Sequence, residues 1–348
     1  MLIDLPILGI CGWSGAGKTT LIESVIPSLR KRGWNIAVVK HSCHHFDVDR
    51  QGKDSDRFFR AGADVIGHFT NESFHHFHTH AQSEITHILI TFAEQYDLVM
   101  VEGYKSVPIQ NVWLHRFGET SIPSDLPHVI CKLDFNSSRE TRLLDLLDEW
   151  LPRQWMKPPV YGCVLIGGKS SRMGMPKHLL LHEDGSSWLE RTMQMLSHVT
   201  PHIVIVGQGE IPEPVAGCIR LADAPDASGP MAGLLAAMRW NPRACWLVAS
   251  CDLPLLTKDA SDWLLSQRRP GCWAVLPRLR NRGNVEPLFA YYDFRARNLI
   301  ESLAAQENYR LADLIVHAKV NTPSPPQRLE SAWNNVNTPL EYNQAKTV

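Results

Sequence analysis

The sequence lacks several features that would assign it to a specialised class of protein. No apolar run approaches the ~20 residues that a membrane-spanning helix needs, and the first residues contain no basic segment of the kind that begins a secretory signal. Lysine and arginine (35) balance aspartate and glutamate (36), so the net charge of −1 argues against an extended nucleic-acid or membrane-binding surface. We therefore expect a cytoplasmic protein that binds neither membranes nor nucleic acids.

Closely spaced cysteines are absent as well. Eight cysteines are scattered along 348 residues without a Cys-x-x-Cys pair, which predicts free thiols in a reducing compartment. No internal repeat is visible. The hydrophobic content of 44% is sufficient for packed cores, and at roughly 150 residues per domain the length favours two domains.

The first of two phosphate-binding patterns begins at residue 12. An apolar run at residues 5–11 leads into Gly-Trp-Ser-Gly-Ala-Gly-Lys-Thr at residues 12–19, and apolar residues at helical spacing follow. A loop between a strand and a helix N-terminus can hold phosphates with its backbone amides. Lys18 would reach the β- and γ-phosphates, and Thr19 would bind Mg²⁺. The predicted nucleotide-binding residues are Gly12, Gly15, Ala16, Gly17, Lys18, Thr19 and Thr20.

Further polar segments accompany this loop. An apolar run at residues 98–101 predicts a strand that ends in Glu102, where an acid can bind Mg²⁺ directly or through water. A Val-Lys-His segment at residues 39–41 precedes Asp49 and Gly-Lys-Asp-Ser at residues 52–55. Together these motifs resemble the molybdenum cofactor biosynthesis GTP-binding adaptor family over residues 5–135. The resemblance implies GTP binding and makes Asp49 and Glu102 candidate metal ligands.

Two other patterns in this half leave alternatives open. Cys-Lys-Leu-Asp at residues 131–134 is similar to the Asn/Thr-Lys-x-Asp element with which GTPases bind guanine, although a solvated turn explains it equally well. Nine of the 16 histidines lie between His41 and His87, and imidazole suits a transition metal. No cysteine or carboxylate lies among them at zinc-finger spacing, which favours a polar strand-and-loop surface.

A helix and a linker are predicted at the middle of the chain. Residues 138–151 have the periodicity of an amphipathic helix that ends at Leu151. Residues 152–159 are rich in proline and predict a stiff linker that cannot continue the helix. The expected domains are therefore residues 1–151 and 160–348.

The second phosphate-binding pattern follows another apolar run. Residues 161–166 predict a buried strand that breaks into Gly167 and Gly168, and a basic loop with Arg172 and Lys177 follows. Backbone amides and cations both bind anionic oxygen. An ordinary tight turn with solvated charges is the alternative, and the order of glycines and cations disfavours it.

Strands and helices then alternate as far as residue 254. This alternation predicts a mostly parallel sheet covered by helices, so both domains are expected to be α/β, a P-loop NTPase fold followed by a Rossmann-like fold. Gly167, Asp223 and Asp252 follow predicted strands. We therefore expect all three at the carboxyl edge of the sheet, where ligands bind in such folds.

This half resembles the molybdenum cofactor guanylyltransferases over residues 160–342. Its motifs are Leu-Ile-Gly-Gly at 165–168, Arg-Met-Gly at 172–174, Pro-Lys at 176–177, Gly-Pro-x-Ala-Gly at 229–233, Cys-Asp-x-Pro at 251–254 and Asn-Val-Asn-Thr-Pro at 335–339. The resemblance implies transfer of GMP from GTP to molybdopterin, with Mg²⁺ at Asp252. The implied catalytic residues are Arg172, Lys177 and Asp252. The implied pterin-binding residues are Asn335 and Asn337. The implied nucleotide-binding residues are Leu165, Ile166, Gly167, Gly168, Lys177, Asp223 and Asp252.

The two resemblances together predict a natural fusion of adaptor and transferase. They imply GTP and molybdopterin as ligands, molybdopterin-insertion proteins and apo-molybdoenzymes as partners, and a homodimer formed through the first domain. Guanylyltransferases usually have Asp at the position of Pro176, whereas related cytidylyltransferases commonly have Pro there, so this residue favours cytosine. The double glycine at residues 167 and 168 favours guanine. A cytidylyltransferase for the same cofactor, a sugar-phosphate nucleotidyltransferase and a non-enzymatic cofactor carrier remain the alternatives.

Overall fold

The computed structural model describes residues 2–40, 65–69, 72–76, 82–103, 106–119, 121–124, 126–135, 138–167, 176–280, 283–336, 338 and 341. The chain separates into two compact units, Met1–Leu151 and Pro152–Val348. Each unit contains its own large β-sheet. None of the helices in the described residues is long and apolar enough to cross a membrane.

The first unit is built on a parallel sheet whose strand order is β2-β5-β1-β6-β7. A separate antiparallel hairpin joins β3 to β4. The strands are β1 (Ile7–Gly12), β2 (Ile36–Lys40), β3 (Val65–Phe69), β4 (Glu72–His76), β5 (Leu98–Glu102), β6 (Gln110–Leu114) and β7 (Val129–Leu133), and the helices are α1 (Lys18–Lys31), α2 (Gln82–Ala93) and α3 (Arg139–Met156).

Strands β1 and β5 lie inside the sheet, and their burial agrees with that position. Every residue of both strands is buried, as expected for parallel strands that are covered on both faces. Helix α1 covers the sheet with one apolar stripe, which consists of Leu21, Ile22, Val25 and Leu29. The phosphate loop connects β1 to α1 and therefore lies at the carboxyl edge in the middle of the sheet.

The predicted linker is wrong over most of its length. Helix α3 does not end at Leu151 but continues through Pro152 to Met156. A proline inside a helix costs about 3 kcal/mol, whereas burying one large apolar side chain contributes about 1.5–3 kcal/mol. Trp150, Leu151 and Trp155 are all buried around this proline. The free energy gained by burying these side chains outweighs the tendency of Pro152 to end the helix. Only residues 157–159 then separate the helix from the next strand.

The second unit contains a mixed sheet with strand order β10-β9-β8-β11-β13-β12-β14. Strands β8 to β11 pair in parallel, and β13 runs antiparallel to β11 and β12. The strands are β8 (Val160–Leu165), β9 (Ile203–Val206), β10 (Ile219–Leu221), β11 (Cys245–Ser250), β12 (Ala274–Val275), β13 (Phe289–Tyr292) and β14 (Val320–Asn321), and the helices are α4 (Trp188–Ser197), α5 (Pro230–Trp240), α6 (Lys258–Ser266) and α7 (Ala296–Ala305).

Local signals fix the starts of the helices in this unit. Ser187 and Glu190 form a capping box at the start of α4, which satisfies two amide groups that the helix leaves unpaired. Thr257 caps α6 through its side chain, and Pro230 occupies the first turn of α5. These caps agree with the predicted alternation of strands and helices.

The last turn of α3 belongs to the second unit and is bound into its core. The guanidinium of Arg295 is fully buried and lies 4.1 Å from the centroid of the Trp155 ring. It also pairs with Asp293 at 2.7 Å, so the buried charge is neutralised. Arg268 donates through Nη2 to the carbonyl oxygen of Trp155 at 3.3 Å. Trp155 is therefore part of the second unit's packing.

Candidate functional site

The phosphate loop of the first unit has the conformation that its glycines permit. Gly15 and Gly17 have φ angles of 78° and 85°, a left-handed region in which other residues are strained. Gly17 is the residue that precedes the first turn of α1. The amides of the first helical turn therefore face the loop, as phosphate binding requires.

Two side chains of this loop have defined partners. The Lys18 Nζ donates to the carbonyl oxygens of Gly12 and Trp13 at 3.1 and 3.0 Å, so the cation lies within the curve of the loop. The Thr19 hydroxyl donates to Oε1 of Glu102 at 2.8 Å, which joins the loop to the end of β5. A hydroxyl and a carboxylate oxygen next to a phosphate loop are the ligands that Mg²⁺ prefers, and the residues present fit that ion.

An arginine that the sequence analysis missed holds this edge together. Arg139, the first residue of α3, donates to the carbonyl oxygens of Ala16, Leu133 and Asp134 at 2.7, 3.3 and 2.6 Å, and it also bonds to the carbonyl oxygen of His115. Partial burial lowers the pKa of its guanidinium, and the charge of Asp134 opposes that effect. One side chain thus connects the phosphate loop to the ends of β6 and β7.

The candidate base-binding segment ends at this same edge. Residues 131–133 belong to β7, and the carboxylate of Asp134 is exposed, with Arg142 at 4.0 Å. Its role in base recognition stays a prediction. Asp49 and most of the histidine cluster lie outside the described residues. In the part of the chain that is described, no group of three or more histidine, cysteine, aspartate or glutamate side chains is positioned to hold a metal ion.

The predicted site of the second unit assembles at the carboxyl edge of its sheet. Gly167 follows the end of β8 by two residues, Asp223 follows β10 by two, and Asp252 follows β11 by two. Leu165 is the last residue of β8, and Ile166 is buried directly after it. A Cβ added to Gly167 would have no atom within 4 Å, so open space lies in front of this glycine.

The central feature of this site is an ion pair. The Lys177 Nζ lies 3.0 Å from Oδ2 of Asp252, with side-chain exposures of 17% and 19%. The two residues are 75 positions apart in the sequence, and the structure brings them together; their catalytic roles stay a prediction. Half-buried opposite charges interact more strongly than surface pairs because less water screens them. Among the described residues of this edge, the ion pair therefore places the Lys177 ammonium beside the Asp252 carboxylate.

Asp223 lies against α5 at the same edge. A Cβ on Gly233 would lie 2.7 Å from Leu165 Cδ2 and 3.3 Å from Asp223 Oδ1, which shows how closely the helix approaches this carboxylate. Asp223 is exposed as a residue, yet partial burial of its carboxylate raises its pKa. The negative charge of Asp223 also adds to the effect of burial in raising the pKa of the Cys163 thiol.

The asparagine segment near the C-terminal end reaches the same site. The backbone amide of Val336 donates to the carbonyl oxygen of Asp252 at 3.0 Å, and the Val336 side chain packs with Leu180 and Trp188. The neighbouring Asn335, the candidate pterin-binding residue, is exposed and precedes in the chain the residue that bonds to the backbone of Asp252. Gly168, Arg172 and Asn337 lie outside the described residues.

Cys251 is a buried residue whose surroundings disfavour the thiolate. Burial raises the pKa of its thiol to about 12, and the neighbouring charge of Asp252 acts in the same direction. A thiol with that pKa is protonated at neutral pH and unreactive. The seven cysteines in the described residues are free, and five of them are buried.

Comparison with known proteins agrees with this division of the chain. Residues 7–131 match the model of molybdopterin guanine dinucleotide synthesis protein B, and residues 162–320 match that of the MobA-like NTP transferase domain. The chain is 34% identical over 164 residues, or 42% of its length, to the molybdopterin-guanine dinucleotide biosynthesis adapter protein of Haemophilus influenzae, of which it covers 90%.

The second half has relatives of its own. It is 29% identical over 192 residues, or 53% of the chain, to a probable molybdenum cofactor guanylyltransferase of Bacillus cereus, of which 94% is covered. A solved structure, molybdopterin-guanine dinucleotide biosynthesis protein A of Archaeoglobus fulgidus, is 24% identical, with a TM-score of 0.44 and coverage of 54% of this chain and 97% of that one. The 34% identity over 90% of the adapter protein shows that the chain belongs, through its first unit, to the family of molybdopterin-guanine dinucleotide biosynthesis adapter proteins, and residues 162–320 of its second unit match the MobA-like NTP transferase domain.

Proposed function

We propose that the second unit transfers GMP from GTP to the terminal phosphate of molybdopterin, which yields molybdopterin guanine dinucleotide and pyrophosphate. The observation that carries this proposal is the Lys177–Asp252 pair at the carboxyl edge, with Asn335 next to it through the Val336 amide. The first unit binds GTP at its phosphate loop and hydrolyses it. The buried free thiols favour a reducing compartment, the cytoplasm.

The chemistry follows from the charges of the two substrates. A phosphate monoester is already ionised at neutral pH, so the nucleophile requires no general base. The difficulty is the repulsion between two anions, and the site must neutralise charge and align an in-line attack on the α-phosphorus. The Lys177 ammonium binds the triphosphate and stabilises the departing pyrophosphate, and Arg172 contributes a second cation. Asp223 orients the nucleotide from the side of α5.

Magnesium fits both units. Asp252 would hold it in the second unit, and Thr19, Glu102 and Asp49 would hold it in the first. When bound, the ion supplies charge neutralisation on the phosphate oxygens. Within the described residues, the observation that supports this assignment is the contact between the Thr19 hydroxyl and the Glu102 carboxylate at 2.8 Å.

The experiment that tests this function separates the alternatives directly. The purified chain is incubated with molybdopterin, Mg²⁺ and each nucleoside triphosphate in turn, and pyrophosphate and dinucleotide are measured. Guanine dinucleotide with an equal amount of pyrophosphate is expected. The cytosine product alone would identify a cytidylyltransferase, and binding without pyrophosphate would identify a carrier. In a parallel reaction a sugar phosphate replaces molybdopterin, and transfer to it in place of molybdopterin would identify a sugar-phosphate nucleotidyltransferase.

The partners of this function are the proteins that receive the product. We infer that molybdopterin-insertion proteins and apo-molybdoenzymes accept the dinucleotide from the second unit, and that the first unit forms a homodimer. Light scattering of the intact chain tests the dimer, because a monomeric mass at micromolar concentration would contradict it.

A further inference from the structure

Two exposed aromatic rings lie beside the phosphate loop of the first unit. Phe117 follows the end of β6 and is 87% exposed, and Phe135 follows the end of β7 and is 56% exposed. Their ring centroids are 6.1 Å apart with an interplanar angle of 80°. Two phenyl rings in contact with each other and with water leave apolar surface that polar turn residues would not expose. The pair therefore indicates a ligand.

The rings belong to the same rigid edge as the phosphate loop. Strand β6 pairs directly with β1, with Gly12 opposite Leu114, and β7 pairs with β6. Arg139 donates to the carbonyl oxygen of Ala16 in the phosphate loop at 2.7 Å, and its guanidinium carbon lies 5.2 Å from the centroid of the Phe135 ring. One side chain thus links the place where phosphates bind to the aromatic pair.

The chemistry of the ligand follows from this continuity. The phosphate loop offers amides and the Lys18 cation to a polyphosphate, and the adjoining surface offers flat apolar rings. A nucleotide carries both complementary parts, because its base is a flat π-system and its other end is a polyphosphate. An aliphatic or peptide partner would match the rings but not the loop.

We propose that Phe117 and Phe135 form the base platform of the first unit, on which the nucleobase of the nucleotide held at the phosphate loop stacks. Arg139 fixes the Phe135 ring by a cation–π contact. Phe135 in turn contacts Phe117 at an interplanar angle of 80°, and the 87% exposure of Phe117 leaves ring surface open to the base. This proposal rests on the proposed binding of a nucleotide by the first unit.

Stacking on a phenyl ring does not distinguish one base from another. The platform therefore supplies affinity, and discrimination of guanine is left to hydrogen-bonding groups at the same edge. This division predicts that losing the platform weakens the binding of GTP and ATP by the same factor. It also predicts that a ligand without a base is unaffected.

The test uses the full chain with Mg²⁺ and isothermal titration of GTP, ATP and inorganic tripolyphosphate. The same titrations with Lys18→Ala report the second unit alone, so the difference gives the first-unit site. Phe117→Ala should raise the Kd for GTP and ATP at that site about tenfold, which is within the range of one base–aromatic stack. Phe117→Trp should keep the Kd for GTP and ATP close to that of the unaltered chain. The Kd for tripolyphosphate should not change in either variant.

A matched control is Val316→Ala in the second unit, since Val316 is also 87% exposed. It should alter no Kd. Unchanged GTP binding in both Phe117→Ala and Phe135→Ala would overturn the platform and leave the rings as a docking surface for a protein. Equal weakening of GTP and tripolyphosphate would overturn it as well, because the effect would lie in the phosphate loop. If the unaltered chain has no first-unit site for either ligand, the proposed GTP binding fails, and the platform fails with it.

Discussion

The two phosphate loops of this chain place a lysine in different surroundings. In the first unit, Lys18 donates to two neutral carbonyl oxygens of its own loop. In the second unit, Lys177 pairs with the carboxylate of Asp252 from a different strand end. Both loops follow a buried strand and both contain glycine and lysine, so composition alone does not distinguish them.

The difference bears on the roles proposed for the two loops, binding with hydrolysis in the first and transfer in the second. A phosphate replaces two carbonyl dipoles around Lys18 at small cost, because no opposite charge is left behind. Separating Lys177 from Asp252 costs more, since each half-buried charge would lose its partner. A phosphate that binds the lysine and a cation that binds the carboxylate can replace the ion pair when both bind together, because neither charge is then left without a partner of opposite sign. The second site is therefore expected to respond to metal and triphosphate as a unit.

The largest expected effect comes from the carboxylate of the pair. Asp252→Asn keeps the size of the side chain and the backbone carbonyl that Val336 contacts, but it removes the charge. Dinucleotide synthesis should fall by about 10³-fold, the upper end for losing one electrostatic group in an active site, while the fold persists. Pyrophosphate release measures this effect. The matched control is Asp259→Asn, an exposed carboxylate in α6, and near-normal turnover of a folded Asp252→Asn protein would remove Asp252 from its role.

The next effect separates the two loops. Lys18→Ala should reduce GTP hydrolysis by the first unit by at least about 100-fold, because it removes the cation that lies within the curve of the loop at the carbonyl oxygens of Gly12 and Trp13. Dinucleotide synthesis should continue, since the second unit has its own triphosphate site. Lys31→Ala, at the other end of α1, is the control. Loss of both activities in a folded protein would show that the units share one active centre.

A smaller effect concerns the choice of nucleotide. Gly167→Ala adds a methyl group into open space, so the fold should tolerate it and the change should act on the ligand. We expect about a tenfold loss of kcat/KM for GTP and a smaller loss for CTP, because the methyl group obstructs the larger base. Gly217→Ala, which also has no atom within 4 Å of the added Cβ, is the control. Equal losses for GTP and CTP would mean that this turn does not contact the base.

The smallest effect is on stability and depends on pH. Partial burial raises the pKa of Asp223, so the folded chain loses stability as the pH rises above the ordinary aspartate pKa of about 3.9. Asp223→Asn should therefore raise the Tm at pH 7, and the gain should shrink as the pH is lowered toward 4. Thermal unfolding across that range measures it. Asp226→Asn should instead lower the Tm at pH 7, and this loss should shrink as the pH is lowered, because hydrogen bonds from Arg239 lower the pKa of Asp226.

Much of this arrangement could be predicted from the sequence. The phosphate loop was expected between a strand and a helix, and the structure places it between β1 and α1. The expected positions of Gly167, Asp223 and Asp252 at strand ends are confirmed. These predictions succeeded because glycine breaks, apolar runs and helix caps are local signals, and because parallel strands all present their carboxyl ends at one edge.

Other features depend on contacts that no local pattern contains. Arg139 stands 123 residues from Ala16, and nothing around it marks it as part of the phosphate loop. Pro152 predicted the end of a helix, but side chains buried on both sides of it held the helix together. Tertiary packing overrode local preference there, and only the three-dimensional neighbours of each residue reveal this.

The position of Trp155 has a consequence for evolution by gene fusion. The transferase match begins at residue 162, yet the Arg295 guanidinium in the core of that unit lies between the rings of Phe294 and Trp155 within 4.2 Å of each centroid, and Trp155 is seven positions upstream of the match. A recombination event that joined another partner at the start of the matched region would remove this ring and uncover a buried guanidinium. The segment that must be inherited together is thus longer than the matched region. Its ancestors would have exchanged partners most readily at a breakpoint upstream of the tryptophan.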